Sequence, residues 1–177
     1  MAAIDRATLL SFLIAGAAAR TTTGQGRALE DLICYLFGCV PGIAITHRNS
    51  MNVFDTEEID VALWNDRDPA GVGFLPNIIL VECKNWSAKV GAGEVNWFDS
   101  KLRNRGLDFG ILVSTLGITG NPNELTAAHA VVAGALRERR KLVIVTIAEL
   151  LTLNDTADLS LLLKKKLCDL AVSGAIA

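Results

Sequence analysis

Four consecutive apolar residues, Ile78-Ile79-Leu80-Val81, run directly into Glu82-Cys83-Lys84. A short, fully apolar run of this kind reads as a strand that must be covered on both faces. Side chains alternate along an extended strand, so Glu82 and Lys84 project together while Cys83 points away. Charges such as these are seldom fully buried unless they are paired or bound to a metal. Taken alone, the two residues read as an ion pair at a strand end.

A second carboxylate, Asp60, lies in another short run, Glu58-Ile59-Asp60-Val61-Ala62-Leu63-Trp64. Two carboxylates on neighbouring strands can hold Mg²⁺ through hard oxygen ligands and leave several of its waters in place. A lysine beside them can orient an attacking water and offset charge building on a phosphate. No serine or cysteine nucleophile with a histidine partner stands out. Gly117–Gly120 lacks the G-K-[ST] ending of a nucleotide-phosphate loop.

Asp60, a gap of twenty-one residues, and then Glu82-Cys83-Lys84 resemble the D…(D/E)-x-K signature of the PD-(D/E)XK nuclease superfamily. Ile59 stands where the usual proline would be. Gly26-Arg27-Ala28-Leu29-Glu30-Asp31-Leu32 resembles the Gly-x-x-(Phe/Leu)-Glu opening of the first helix in the Mrr-like restriction endonuclease branch. Val90-Gly91 through Val95-Asn96-Trp97-Phe98, followed by Gly110-Ile111-Leu112-Val113-Ser114-Thr115, resemble that branch's next helix and strand. The resemblance covers roughly residues 24–150, and order and spacing carry it more than any single residue.

Composition narrows the alternatives. A chain of 177 residues suits one domain, and 51% hydrophobic residues with a mean hydropathy of +0.37 place it among globular chains. Cys34, Cys39, Cys83 and Cys168 lack metal-site spacing, and with only His47 and His129 a zinc centre is not expected. Three of the four cysteines lie in apolar contexts, as reduced, buried thiols of a cytoplasmic protein would. Residues 7–19 form an apolar run too short to span a bilayer. Asp5-Arg6 before it makes no positively charged leader, so a mostly buried first helix is expected. The net charge of −2 and pI of about 5.7 count against an obvious nucleic-acid binder. Locally, Lys84, Lys89, Lys101, Arg103 and Arg105 outnumber Glu94 and Asp99, an excess that a solvated helix face would also show.

Hydrophobic spacing predicts a helix over about Gly26–Phe37, with Leu29, Leu32, Ile33, Leu36 and Phe37 on one stripe. Glu30 sits ~100° from Leu29 on such a helix, near the azimuth of Phe37, so it borders the stripe while Asp31 points to the far side. Strands are expected at about 43–47, 58–64, 77–84, 109–115 and 142–147. Between the second and third, the loop 65–75 carries Asp66 and Asp68 in turn chemistry. A helix over about 94–105 has Val95, Phe98 and Leu102 as its core stripe and Asp99–Arg103 as an i,i+4 pair, with Trp97, Lys101 and Asn104 on one flank. Asn121-Pro122-Asn123-Glu124 reads as the start of the next helix, whose basic end at 137–141 reads as solvated. Thr146-x-x-Glu149 reads as a capping box. Residues 155–177 supply a C-terminal helix, from about Thr156 to Val172, suited to a packing cap or dimer surface. The order α-α-β-β-β-α-β-α-β-α implies a mixed α/β sheet with an antiparallel start and a parallel crossover. This agrees with the αβββαβ restriction-endonuclease-like core that the resemblance implies, with extra N- and C-terminal helices.

The resemblance further implies that Asp60 and Glu82 hold Mg²⁺, for which Mn²⁺ would substitute, with the Cys83 carbonyl as a further oxygen ligand. Lys84 would approach the attacking water or the phosphate, and Glu30 would complete the shell directly or through water. Asn85 and Trp86 would line the cleft. Lys89, Trp97 and Lys101 are the candidate nucleic-acid contacts. The implied activity is Mg²⁺-dependent hydrolysis of DNA in restriction or phage defence; the cysteine contexts lead us to expect a cytoplasmic protein, and the acidic pI a homodimer. No dedicated target-recognition domain is evident, so specificity would come from loops, the dimer partner or a separate specificity or activating subunit. A structure-selective, Holliday-junction-type nuclease and a non-catalytic nuclease-like module are the alternatives.

Overall fold

The computed structural model describes residues 2–52, 56–85 and 87–174. Along the chain run α1 (Arg6–Ala18), α2 (Thr22–Gly38), β1 (Ile43–Met51), β2 (Glu58–Asn65), β3 (Ile78–Lys84), α3 (Ala92–Asn104), β4 (Phe109–Ser114), α4 (Ala128–Arg137), β5 (Lys141–Thr146), α5 (Ile147–Leu150) and α6 (Thr156–Ser173). The strands form one sheet in the order β1-β2-β3-β4-β5. β1, β2 and β3 pair antiparallel, while β3, β4 and β5 pair parallel through α3 and α4. The stretch from α2 to β4 is the expected αβββαβ core.

Period-two alternation divides the side chains of β3 between two cores. Ile79, Val81 and Cys83 join Leu29, Leu32, Ile33 and Leu36 of α2 in one apolar cluster, which also takes in Leu159 and Leu163 of α6. Leu80 joins Leu112 of β4 with Val95, Phe98 and Leu102 of α3 and Val132 of α4 in the other. Glu82 has the parity of Leu80, so it projects toward α3. Gly110 on β4 allows α3 to approach closely, because a Cβ there would stand 2.7 Å from Phe98 Cζ and 2.8 Å from Leu102 Cδ1.

Several expectations are corrected. α1 is not mostly buried. Only Leu9 and Gly16 are, while Leu10 and Ile14 are exposed. Its apolar residues are spread around the helix, and just one side can meet α2, where Phe12 lies 6.0 Å from Tyr35 between ring centroids. Asn121-Pro122-Asn123-Glu124 does not open α4. The Asn121 side chain accepts from the N–H of Asn123, closing a turn. Leu125 and Ala127 then adopt positive φ, and the helix starts only at Ala128. β1 runs on past His47 to Met51, held by pairing through Met51 with Glu58. The Thr146–Glu149 capping box is present, and it opens the single-turn α5. Arg140, expected at a solvated helix end, is buried in a fork on Asp99, with Nε–Oδ1 at 2.7 Å and Nη2–Oδ2 at 3.0 Å. Cys83 is the one fully buried cysteine, and Cys168 is exposed. Among the described residues, no helix is long and apolar enough to cross a membrane.

Candidate active site at the ends of β2 and β3

The antiparallel register of β2 and β3 ends at Val61 opposite Val81. One step further out stand Asp60 and Glu82. The Cys83 N–H donates to Asp60 Oδ2 at 2.7 Å, which ties the Asp60 carboxylate to the strand carrying Glu82. Asp60 Oδ1 takes no hydrogen bond among the described residues.

Glu82 is only 2% exposed, and both of its oxygens meet ammonium groups. Lys84 Nζ lies 3.1 Å from Oε1 and Lys101 Nζ lies 2.8 Å from Oε2. The same Lys84 ammonium is 3.3 Å from Glu94 Oε2, on the first turn of α3. The ion pair that E-x-K suggests by itself is therefore present. It is embedded in a larger cluster with Asp60, Lys101 and Glu94.

Electrostatics within the cluster are uneven. Burial, and then the nearby Glu82 charge, push the Asp60 carboxyl up to about 7, against the opposing pull of the Cys83 N–H, Lys101 and Lys84. For Lys84, burial favours the neutral amine, but the charges of Glu82, Glu94 and Asp60 outweigh it and leave the ammonium's pKa above the usual lysine value. Burial, followed by the surrounding carboxylates, raises the Cys83 thiol well above its ordinary range, so it stays protonated and unreactive.

Asp60 and Glu82 are hard oxygen donors on adjacent strands. Among the described residues, no group of three or more His, Cys, Asp or Glu side chains comes together as a metal cage. Mg²⁺ is commonly bound through one or two carboxylates with its remaining positions filled by water. The donor set fits such an ion.

The other sequence candidates are placed less uniformly. Glu30 is buried, as its position beside the apolar stripe predicts. Its Oε2 accepts from Asn49 Nδ2 at 2.7 Å and lies 3.4 Å from Arg48 Nη2 on β1. Asp31 does not simply face away, since its Oδ1 takes the same guanidinium at 2.8 Å through Nη1. Asn85 is tied down on both sides, donating to the Gln25 carbonyl at 2.8 Å and accepting from Thr115 Oγ1 at 3.1 Å. Trp86 lies outside the described residues. Trp97 and Lys89 are exposed, as surface contacts need to be.

Lys101 as a nucleic-acid contact is corrected: it is 4% exposed and committed to Glu82. The basic excess after β3 is largely neutralised as well, with Lys84 on Glu82 and Glu94, Arg103 on Asp99, and Arg105 on Glu57. Among these five residues, all of them described, Lys89 alone has no ion pair. The sequence reading missed Lys101 as part of the carboxylate cluster. The signal was available: Glu94 and Lys101 are seven residues apart, ~20° on a 3.6-residue helix, so both share the face that α3 turns toward the sheet.

No curated protein matches the chain. A family model described as restriction endonuclease, the Mrr catalytic domain, matches residues 45–153. That segment runs from β1 past α5, includes Asp60, Glu82, Lys84 and Lys101, and leaves Glu30 outside. With more than half its length matched, and with the αβββαβ sheet in place, the chain belongs to the Mrr-like restriction endonuclease family of PD-(D/E)XK nuclease domains.

Proposed function

We propose that the chain is a Mg²⁺-dependent endonuclease that hydrolyses DNA phosphodiester bonds in restriction or phage defence. The observation that carries this reading is the convergence of Asp60 and Glu82 at adjoining strand ends, with Lys84 3.1 Å from Glu82. When bound, a divalent cation at such a pair lowers the pKa of a coordinated water and neutralises charge on the phosphoryl oxygens. Asp60, Glu82 and the Cys83 carbonyl would hold it, with Glu30 acting through water. Lys84 has its pKa raised, so at neutral pH it is a cation and hydrogen-bond donor rather than a base. It would orient the attacking water or steady a phosphate oxygen, while Glu82 and Glu94 hold its ammonium in place.

The acidic net charge, and the pairing of Lys84, Lys101, Arg103 and Arg105, leave little free positive surface beside the carboxylates for a duplex. Productive engagement would then require a homodimer, with Lys89 and Trp97 of each copy toward DNA, or a separate specificity or activating subunit. We take residues 1–177 as one nuclease domain acting in the cytoplasm. One observation favours a second reading: both Glu82 oxygens are already held by lysines, as in a purely structural ion-pair network. On that reading the chain is a non-catalytic, nuclease-like binding or oligomerisation module.

Incubating the protein with supercoiled, linear, single-stranded and branched DNA, with Mg²⁺ or EDTA, separates these readings. Linearised plasmid with Mg²⁺ and none with EDTA is the expected result. Cutting confined to four-way junctions would replace it with a structure-selective nuclease, and no cutting of any substrate would leave the module. Light scattering checks the dimer, which a monomer cutting both strands at full rate would exclude.

A further inference from the structure

Lys101 occupies an unusual place for a lysine. Val95, Phe98 and Leu102 seat α3 against the sheet where Gly110 permits close approach. This carries the Lys101 stem into the interior and leaves 4% of the residue exposed. Among the described residues its ammonium hydrogen-bonds a single side chain, the Glu82 carboxylate, at 2.8 Å. Lysines are almost never this buried unless paired, and this one is paired with a carboxylate that stands as a metal ligand.

We propose that Lys101 is a resident counter-cation of the metal site. In the metal-free protein it holds Glu82 in position, and a divalent cation has to take over or share the oxygen that Lys101 holds. The inference rests on the reading of Asp60 and Glu82 as metal ligands. Lys101 is then a positioning residue that keeps the site folded without metal and sets a deliberately weak metal affinity. Lys84, which also meets Glu94, retains a partner when Glu82 turns to a metal, whereas Lys101 hydrogen-bonds no other carboxylate among the described residues.

Calorimetric titration with Mn²⁺, together with thermal unfolding with and without Mn²⁺, tests this. Lys101→Met should bind Mn²⁺ at least ~10-fold more tightly than wild type, because a unit charge a few ångströms away in a partly buried site opposes a cation by more than that factor. The metal-free variant should melt lower, and its gain in Tm on adding Mn²⁺ should be larger. Lys101→Gln, one bond shorter, keeps a donor but drops the charge; it should tighten binding too and serves if the methionine variant does not fold. Lys101→Arg should restore the wild-type affinity.

Unchanged or weaker Mn²⁺ binding in both neutral variants would overturn the proposal and reduce Lys101 to a packing ion pair. Asp60→Ala keeps the two failures apart. If it abolishes Mn²⁺ binding while the Lys101 variants bind no tighter, only the counter-cation role falls. If it binds Mn²⁺ as wild type does, the metal site falls and the counter-cation role with it.

Discussion

Replacing Asp60 with asparagine removes a charge that burial and the Glu82 carboxylate disfavour in the metal-free fold. The Asp60 carboxyl rises from an ordinary 3.8 to about 7, chiefly through burial and then through the neighbouring Glu82 charge. At about 1.4 kcal/mol per pH unit, ionising it opposes folding by at most about 4 kcal/mol. Because the neighbouring Glu82 charge already meets two lysines, a measured effect of about 2 kcal/mol is the working expectation.

The sign follows from the raised value. The folded protein binds the extra proton between the unfolded and folded pKa values, so this contribution is fully present below about pH 4 and is lost as the pH rises through about 7. His129 acts oppositely. Burial, then Lys89, lowers its pKa, so its contribution is present above its ordinary value of 6.5 and lost as the pH falls through the lowered folded value. Subtracting the two proteins cancels the His129 contribution.

Chemical unfolding of metal-free wild type and Asp60→Asn from pH 5 to 8 measures the difference directly. The variant should gain stability relative to wild type as the pH rises, by about 2 kcal/mol at pH 8. Its amide oxygen can still accept from the Cys83 N–H, so the strand tie survives. Added Mn²⁺ should stabilise wild type at pH 8 and leave the variant nearly unmoved. A constant difference between the proteins across this range, or a variant that loses ground as the pH rises, would refute the reasoning.

Other parts of the fold give equally direct expectations. Arg140→Ala strands the 2%-exposed Asp99 with only Arg103 as an ionic partner, and should cost roughly 3 kcal/mol by denaturant unfolding. Asn65 is fully buried and donates to the carbonyls of Val72, Leu75 and Pro76 at 3.1, 3.2 and 3.2 Å; Asn65→Ala should cost about 2 kcal/mol and loosen the β2–β3 connection to proteolysis. Glu30→Gln should lower plasmid cleavage ~10–100-fold with partial rescue at high Mg²⁺ if Glu30 supports the metal through water, whereas Asp31→Asn should be nearly silent. Equal losses from both would mean that the two act only through their shared Arg48.

What could be read from the sequence was whatever a local period or a fixed spacing encodes. Ile78–Val81 announced a strand covered on both faces; Ile79, Leu80 and Val81 lie between the α2 and α3 layers, whereas Ile78 at the start of the strand is exposed. Strand alternation alone placed Glu82 beside Lys84 and sent Cys83 to the opposite core. The Thr146–Glu149 box was legible because its two reciprocal hydrogen bonds need just that spacing. Partnerships formed across the fold were not legible. Arg140 looked like a solvated helix end, because its acceptor Asp99 lies 41 residues away. Arg48 and Asn49 continue β1 without an apolar alternation, held by pairing with β2, and so they meet Glu30 unannounced. Asn121 had the residue types of a helix cap, yet its side chain can close a turn at the same local cost. Lys101 was counted as surface because lysines usually are, and only the close approach of α3 at Gly110 turns it inward.

The most direct test of the account is plasmid cleavage by wild type, Asp60→Ala, Glu82→Ala and Lys84→Ala at saturating Mg²⁺, with circular dichroism melts confirming cooperative folding of each. The account predicts cleavage by wild type and a loss of two or more orders of magnitude in every folded variant, in line with the ~10²–10³-fold cost of removing one electrostatic stabiliser. A folded variant that cuts at the wild-type rate would remove its residue from the active site. Full activity in all three would contradict the assignment of catalysis to this cluster.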